Sequence, residues 1–254
     1  MKKTLLALAT TSSLIVSGSA LAAFVDAPKG EGSAADPQIE ITGTLTNNNP
    51  NWMWQIPAVS QSVVTDVVIQ KITGVVSGSN TEFSVTKQAL SILEGYTKRL
   101  IPNGGAGLTP VVKVGGVDMR GCSGPNGICT IIIDAANAGA KVGEISMRIM
   151  MTGGAYSTNE LNTKYSTLPS AQGISQEALD LAWKTVGVEA AYQGSITRNK
   201  DYSIDTVDNW LKSPTLYKSA QGRVVTLASS KLVVPTTAIP ATWAASLPIT
   251  ISVK

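Results

Sequence analysis

The sequence predicts a mostly β protein, a β-sandwich with a small helical insertion. Most segments are rich in β-branched residues and are separated by Gly, Pro, Asn and Ser, which is typical of short strands joined by turns. The end of the chain alternates strictly between apolar and polar residues, as a half-buried strand does. Helical spacing appears in one region, from about 155 to 215.

The β-branched runs define the predicted strands. In the last of them the apolar residues recur at every second position, which places them on one face. The predicted strands are Ser62–Ile72, Leu108–Val114, Thr130–Asp134, Val142–Met151, Arg223–Leu227, Leu232–Val234 and Leu247–Val253.

The region from about 155 to 215 is predicted to be the insertion. Ile174–Gly187 begins with a capping serine and acidic residues and ends in Gly, and its apolar residues recur at helical spacing. A second short helix is predicted from about Ser203 to Lys212. An insertion between strands is a common place for recognition residues. Three of its large apolar residues are instead predicted to pack the insertion onto the sandwich: Leu179, Trp183 and Trp210.

The first segment has the features of a secretory signal peptide. Met1-Lys2-Lys3 precedes an apolar stretch, Leu5–Val16, that is too short and too polar to span a membrane. Small residues follow, and we expect cleavage between Ala22 and Ala23 or one residue later. The predicted organisation is a signal peptide at 1–22, an N-terminal arm at 23–46 and a sandwich domain at 47–254.

Composition excludes several kinds of chemistry. The 254 residues include no His, which rules out histidine-dependent nucleophiles, histidine general bases and histidine zinc sites. Lys and Arg number 20 against 17 Asp and Glu, and no basic run indicates a nucleic acid. The chain has no dinucleotide fingerprint and no phosphate loop. We therefore expect no cofactor, no metal and no nucleic-acid partner.

Cys122 and Cys129 flank a segment of Gly, Pro and Asn, which favours a tight turn. In an exported protein this arrangement predicts a disulfide across a short loop. The loop-entropy model gives such a loop about 2–3 kcal/mol of stabilisation. A reactive or metal-bound pair is the alternative, but the spacing is not C-x-x-C and no further ligand is near in sequence.

Two other motifs in the sequence have ordinary structural interpretations. Ser84-Val-Thr-Lys87 matches the S-x-x-K pattern of a Ser–Lys hydrolase, but its flanks are extended and the partner motifs are missing. Asp201, Asp205 and Asp208 share a helical face, and their spacing differs from a calcium loop. We predict a solvated helix face for the three acids and no enzymatic activity for the chain.

The arm is the most informative segment. From Asp36 to Thr46 it alternates, with Ile39, Ile41, Gly43 and Leu45 on the apolar face. A Gly there weakens an ordinary strand, whereas in a strand accepted by another molecule it fits a shallow pocket and fixes the register. We therefore predict donor-strand exchange, in which each arm completes the next subunit's sheet and builds a filament. The alternative is that the arm is the first strand of its own sandwich.

Several segments resemble the Fae-type chaperone–usher fimbrial subunits of enterobacteria. The similar features are the Met-Lys-Lys start, the apolar-x-apolar-x-Gly-x-apolar order of the arm, the aromatic pair in Asn51–Ile56, and Trp243 ahead of the final alternating strand. The resemblance is closer at the two ends of the chain than in the middle.

This resemblance implies an incomplete immunoglobulin-like β-sandwich completed by donor-strand exchange. The missing strand would come first from a periplasmic chaperone and then from a neighbour's arm. Other fimbrial subunits and an outer-membrane usher are the further implied partners, and the cell-surface fimbrium, reached through the periplasm, is the implied location. The final strand would border the groove and bind the chaperone through Leu247, Ile249, Ile251, Val253 and the carboxylate of Lys254.

Within that family, the cysteine pair, the non-aromatic C-terminus and the divergent insertion favour a minor structural subunit that contributes to adhesion. The alternative is a carbohydrate-binding adhesin or major subunit that recognises host glycans. Exposed aromatic residues would then serve as stacking platforms for sugar rings: Tyr156, Tyr165 or Tyr202.

Overall fold

The fold is mostly β, with a few short helices. A computed structural model describes residues 39–40, 43–45, 51–64, 67–86, 88–102, 108–123, 127–159, 161, 163–167, 173–194, 196–199, 204–211 and 216–253. The predicted signal peptide and its cleavage site lie outside these residues.

The elements are numbered in chain order. The strands are β1 (Ile39–Glu40), β2 (Gly43–Leu45), β3 (Trp52–Gln55), β4 (Val75–Ser77), β5 (Asn80–Thr86), β6 (Leu90–Thr97), β7 (Ile101–Pro102), β8 (Pro110–Val114), β9 (Val117–Asp118), β10 (Cys129–Asn137), β11 (Ala140–Asn159), β12 (Lys164–Thr167), β13 (Thr197–Asn199), β14 (Leu216–Pro235), β15 (Ala245–Ser246) and β16 (Ile249–Val253). The α-helices are α1 (Ala58–Val64), α2 (Gln176–Trp183), α3 (Val188–Tyr192) and α4 (Ile204–Trp210), and short 3-10 helices span Lys71–Thr73 and Met119–Cys122.

Two long antiparallel strands, β11 and β14, form the centre of the larger sheet. Each is 20 residues long. The other edge of β11 pairs with β10 and then with β12, while the other edge of β14 pairs with β7, β6 and β5 in turn. Because one strand serves several shorter ones, the described part of this sheet has ten strands.

The smaller sheet has the order β2-β16-β8-β9. Its inward residues, among them Val112, Val114 and Ile249, are buried in the same cluster as Ile145 and Ile149 of the larger sheet. A core shared between two stacked, mainly antiparallel sheets is an immunoglobulin-like β-sandwich. The predicted fold class is therefore confirmed.

The aromatic pair at the start of the domain lies inside this core. Trp52 and Trp54 are buried on β3 with their rings stacked and their centroids 5.3 Å apart. The indole N–H of Trp52 donates to the carbonyl of Leu108 at 2.9 Å. The pair therefore connects the first strand of the domain to the segment that leads into β8.

The strand predicted at Ser62–Ile72 is wrong. The helix α1 covers the start of this run, beginning after Pro57, whose carbonyl accepts from the Ser60 N–H at 3.0 Å. The pairing with β3 covers only Glu94–Thr97 of β6. Nearer the start of β6 the helix α1 lies beside it, and the Ser60 hydroxyl donates to the Ser91 carbonyl at 2.6 Å. Val68 and Ile72 remain 90% and 89% exposed. β-branched composition alone therefore does not produce a strand, because β-propensity depends strongly on tertiary context.

The other expectations agree with the structure more closely. Both predicted helices are present, as α2 and α4. The two segments predicted around Arg223–Leu227 and Leu232–Val234 are parts of the single strand β14. Among the residues that the structure describes, none of the helices has the length and apolar character needed to cross a bilayer.

Helix α2 lies directly against two glycines of the larger sheet. Gly154 on β11 and Gly222 on β14 are paired across the strands. A Cβ at Gly222 would lie 2.0 Å from the Ala178 carbonyl oxygen, and one at Gly154 would lie 2.5 Å from the Leu179 nitrogen. The missing side chains therefore allow the helix backbone to approach the sheet.

Replacing Gly222 with Ala should destabilise the fold, because the added methyl meets rigid helix backbone. We expect Gly222→Ala to lower the free energy of unfolding by about 1–3 kcal/mol, measured by urea denaturation. The matched control is Gly121→Ala, where an added Cβ meets nothing within 4 Å. Equal midpoints for the two variants would contradict this account of how α2 is held.

Candidate functional site

The arm strands run parallel to the end of the chain in a single register. Ile39 and Glu40 of β1 pair with Ala245 and Ser246 of β15. Gly43, Thr44 and Leu45 of β2 pair with Ile249, Thr250 and Ile251 of β16. Ile41, the remaining predicted donor residue, lies outside the described residues. In this single chain the arm thus completes its own sheet, which is the alternative that the sequence left open.

The final strand has one face in the core and one in solvent. Leu247, Ile249 and Ile251 are buried, Val253 is half-buried, and the alternate residues Thr250 and Ser252 are exposed. One edge of β16 is antiparallel to β8 and the other is parallel to β2. The apolar residues predicted to border the groove therefore lie beside the arm, while Lys254 lies outside the described residues.

The insertion is capped and packed on the opposite, larger sheet. The Ser175 hydroxyl accepts from the Ala178 N–H at 3.1 Å and is 2.9 Å from the Thr152 hydroxyl, which fixes the start of α2. Leu179 and Trp210 are buried together with Ala155. These two residues pack the insertion onto the sandwich, as the sequence predicts.

Trp183 departs from that expectation, because 39% of it is exposed. Its ring makes an edge contact with half-buried Tyr156 at 5.1 Å between centroids, and Tyr156 also contacts Tyr192 at 5.6 Å. Burial raises the pKa of Tyr192 above its usual range, and its hydroxyl donates to the Lys218 carbonyl at 3.2 Å. The Trp183 indole ring is therefore exposed to solvent and is supported by the uncharged rings of Tyr156 and Tyr192.

The other predicted stacking residues are less prominent. Tyr156 and Tyr165 are both half-buried, and Tyr202 lies outside the described residues. The sequence predicts burial for Trp183 because its position fits the apolar stripe of α2. Its place in the last turn of the helix, one residue before the C-cap Lys184, is the signal that could have indicated exposure.

The prediction of a solvated acidic face fails at Asp208. Asp205 is exposed, but Asp208 is only 2% exposed, and Asp201 lies outside the described residues. One oxygen of Asp208 contacts Arg223 at 2.6 Å and the other contacts Arg120 at 2.6 Å. A buried carboxylate is stable only when it is paired in this way.

The sequence contained a signal for this burial. Ile204 and Val207 of α4 and Leu211 just after it are buried on one side, and Asp208 lies among them, four residues after Ile204. An acid inside an apolar stripe requires a cationic partner from elsewhere in the fold. Spacing among the acids alone did not reveal it.

Arg223 is the centre of this network. It is 1% exposed and donates also to the Gln221 side chain at 2.8 Å and to the Gly222 carbonyl at 2.9 Å. Its guanidinium carbon lies 5.8 Å from the centroid of the Trp52 ring, which adds a cation–π contact. The network therefore joins the insertion to the central strand β14 and to the first core strand.

The disulfide supports the third member of the network. Cys122 and Cys129 are bonded, with their Cα atoms 5.2 Å apart, so the predicted disulfide is confirmed. The bond closes the segment that follows Arg120, and the Asp118 side chain accepts from the Arg120 N–H at 3.0 Å. Arg120 is thus held between a helix cap and a covalent cross-link.

The proposed Ser–Lys pair has no support at Ser84. Ser84 lies exposed on the strand β5, where residues three apart point to opposite faces, so the helical-turn geometry of that motif is not available. Lys87 lies outside the described residues.

A β-sandwich whose last strand pairs with an N-terminal arm, and which carries a helical insertion, has the architecture of a fimbrial subunit. A comparison with protein families confirms this class: the K88-type family described as "Fimbrial, major and minor subunit" matches residues 1–198. The chain belongs to this family of fimbrial subunits. No curated protein matches it.

The family match extends the resemblance noted in the sequence. It includes the middle of the chain, where that resemblance was weakest, and ends before the segment that contains Trp243. The family consists of structural subunits rather than enzymes, which implies other fimbrial subunits as partners and the cell-surface fimbria as the location.

Removing the charge of Asp208 should destabilise the fold strongly, because two arginines would lose their buried counter-ion. We expect Asp208→Asn to lower the free energy of unfolding by about 3–5 kcal/mol. The control is Asp205→Asn, an exposed acid on the same helix, which should change it by less than about 0.5 kcal/mol. Guanidinium denaturation followed by tryptophan fluorescence measures both, and similar losses in the two variants would contradict the role of Asp208.

Proposed function

We propose that this chain is a minor structural subunit of a chaperone–usher fimbria that polymerises by donor-strand exchange and contributes to adhesion. The observation that carries the proposal is the pairing of the arm with β15 and β16 in a single register. The family match supports the fimbrial role in general. The arm pairing supports the particular mode of assembly.

The arm occupies a position from which it can be exchanged. In the order β2-β16-β8-β9 it is an edge strand, so its departure uncovers one edge of β16 and breaks no other described pairing in that sheet. Strand edges of this kind accept an extended segment from another chain through main-chain hydrogen bonds. A neighbour's arm has the same sequence and can form the same ladder.

The energetics favour a tightly held arm. Ile39, Ile41 and Leu45 together would contribute roughly 5–9 kcal/mol if fully buried, before the cost of ordering the arm. A chain's own arm and its neighbour's arm gain nearly the same contact energy, so exchange depends on which strand reaches the groove first. A periplasmic chaperone strand that fills the groove until assembly at the usher would provide this control.

The disulfide is the feature that favours a minor subunit over the major one. Cys122 and Cys129 are bonded beside the network that anchors the insertion. The Fae-type resemblance implies a major subunit without such a pair. We therefore place this chain among the minor subunits, with the insertion stabilised by a cross-link.

Gly43 provides the direct test of polymerisation. We expect Gly43→Ile to abolish incorporation into fibres and to leave the chaperone complex intact, because the bulky residue must fit beside buried Ile249 when the arm docks. Fibre incorporation is measured by immunogold labelling, and the chaperone complex by co-purification from the periplasm.

The matched control is Thr44→Ile, which enlarges the neighbouring residue on the other face of the alternating strand. This variant should still assemble. Normal incorporation of the Gly43→Ile chain would sink the donor-strand proposal.

A second candidate function is carbohydrate binding, favoured by the exposed ring of Trp183. Its indole contacts Tyr156 at the C-terminal end of α2. Val186, three residues later in the sequence, is 74% exposed. An exposed indole on a rigid aromatic base is suited to stack against a sugar ring, and the fimbrial family makes a host glycan a reasonable ligand.

A glycan array separates this candidate from a purely structural role. If the subunit binds a glycan here, Trp183→Ala should reduce apparent affinity about tenfold or more, as expected for an aromatic anchor. Val186→Ala, an exposed neighbour, should bind normally. No glycan signal from the parent protein, or equal signals from the two variants, would exclude the site.

A further inference from the structure

A cavity opens next to the start of β15, outside the part of the groove filled by the described arm residues. Its volume is about 360 Å³, and its walls are mostly apolar. Phe83 and Leu232 from the larger sheet form one side, while Ile239 and Trp243 from the segment before β15 form another. Lys71 is the charged residue among the described residues that line it.

The register of the arm leads directly to this cavity. Ile39 is level with Ala245, and the two strands are parallel, so an extension of β1 towards the N-terminus would run along the residues that precede Ala245. Continued in that register, the arm would bring Pro37 level with Trp243 and Asp36 level with Thr242. Both partners belong to the cavity wall.

The backbone of the wall is oriented to receive such a continuation. Ala244 exchanges both hydrogen bonds with Ala136 of β10, at 2.7 and 2.8 Å, so its backbone groups face β10. Backbone groups of successive strand residues point to opposite edges. Those of Trp243 therefore point to the arm side, as those of Ala245 do.

We propose that this cavity is a second binding site for the chain's own arm, which takes the segment Ala35–Gln38 as an extension of β1. The occupant is an apolar and acidic peptide segment: Ala35 and Pro37 supply small apolar groups and Asp36 supplies a negative charge. Pro37 packs against the half-buried Trp243 ring. Asp36 pairs with exposed Lys71 at the rim.

This site lengthens the contact between the arm and the body beyond the alternating donor residues. It rests on the same arm docking as the proposed function, but it concerns the single chain before assembly. A chain whose arm is anchored here holds its own groove closed, so a neighbour's arm must displace the anchor as well as the strand.

Disulfide trapping in the full-length chain tests the proposal. The two native cysteines are bonded to each other, so introduced cysteines are the only free thiols. Directly level residues on neighbouring strands are about 4.8 Å apart, within the range that a disulfide bridges. We expect Asp36→Cys with Thr242→Cys to form an intrachain bond on mild oxidation, identified by mass spectrometry of the linked peptides.

Two further cysteine pairs make each result decisive. Thr44→Cys with Thr250→Cys reports arm docking alone, and Asp36→Cys with Val117→Cys, on β9 away from the cavity, should not link. If the 44–250 pair links within one chain and the 36–242 pair does not, the cavity proposal is overturned and the arm docking stands. Links between chains at both pairs would support exchange and overturn occupation by the chain's own arm.

The ion pair is tested by exchanging its charges. The 36–242 cysteine pair removes Asp36 and so cannot report on its charge. Docking of the arm is therefore followed through disulfide formation by the 44–250 cysteine pair. We expect Asp36→Lys or Lys71→Glu alone to slow 44–250 linkage by about two- to fivefold, and the double exchange to restore it. Arg148→Glu, an exposed change on β11 of the larger sheet, is the control for net charge. Equal slowing by Arg148→Glu, or no restoration in the double variant, would contradict the Asp36–Lys71 contact.

Discussion

The structure depends on one constraint: the backbone groups on the second edge of the final strand need hydrogen-bond partners. β16 is antiparallel to β8 on one side, and its other side must find hydrogen-bond partners. Its inward residues, Ile249 and Ile251, belong to the shared core of the sandwich. Leaving that edge bare would expose backbone groups and loosen core residues together. The arm meets both needs, which explains why a short alternating segment so far from β16 in sequence is part of the same sheet.

The insertion is held on the larger sheet by close helix–sheet packing and by buried ion pairs. Helix α2 sits against Gly154 and Gly222 of the larger sheet, and α4 is held by Asp208 between Arg223 and Arg120. Neither device touches the pairs between the arm and β16. Sites without shared contacts respond to substitution nearly independently. The insertion can therefore vary without disturbing the pairing of the arm with β16.

The sequence predicted the features that depend on local chemistry. The Ser175 cap at the start of α2, the alternation of β16 and the short cysteine loop are each encoded within a dozen residues, and the structure contains all three. The Gly predicted to end this helix, Gly187, is instead the N-cap of α3, because α2 already ends at Trp183. The strand predicted at Ser62–Ile72 failed because the surrounding fold decides whether a β-branched run pairs, and here the helix α1 contacts β6 through the Ser60–Ser91 hydrogen bond. Asp208 failed for a similar reason, since its partners Arg120 and Arg223 are remote in sequence.

The direction of the arm has a consequence that its alternation alone does not show. In the chain's own groove the arm is parallel, and Gly43 is level with Ile249. An arm laid antiparallel over the same span would place Gly43 level with Leu247 and Ile41 level with Ile249. The order apolar-x-apolar-x-Gly-x-apolar is not symmetric. Gly43 would therefore lie at a different groove position in each of the two directions. Because Leu247 and Ile249 are equally buried, the shape of the core around them, rather than their exposure, must decide which direction an arm would take in the proposed exchange.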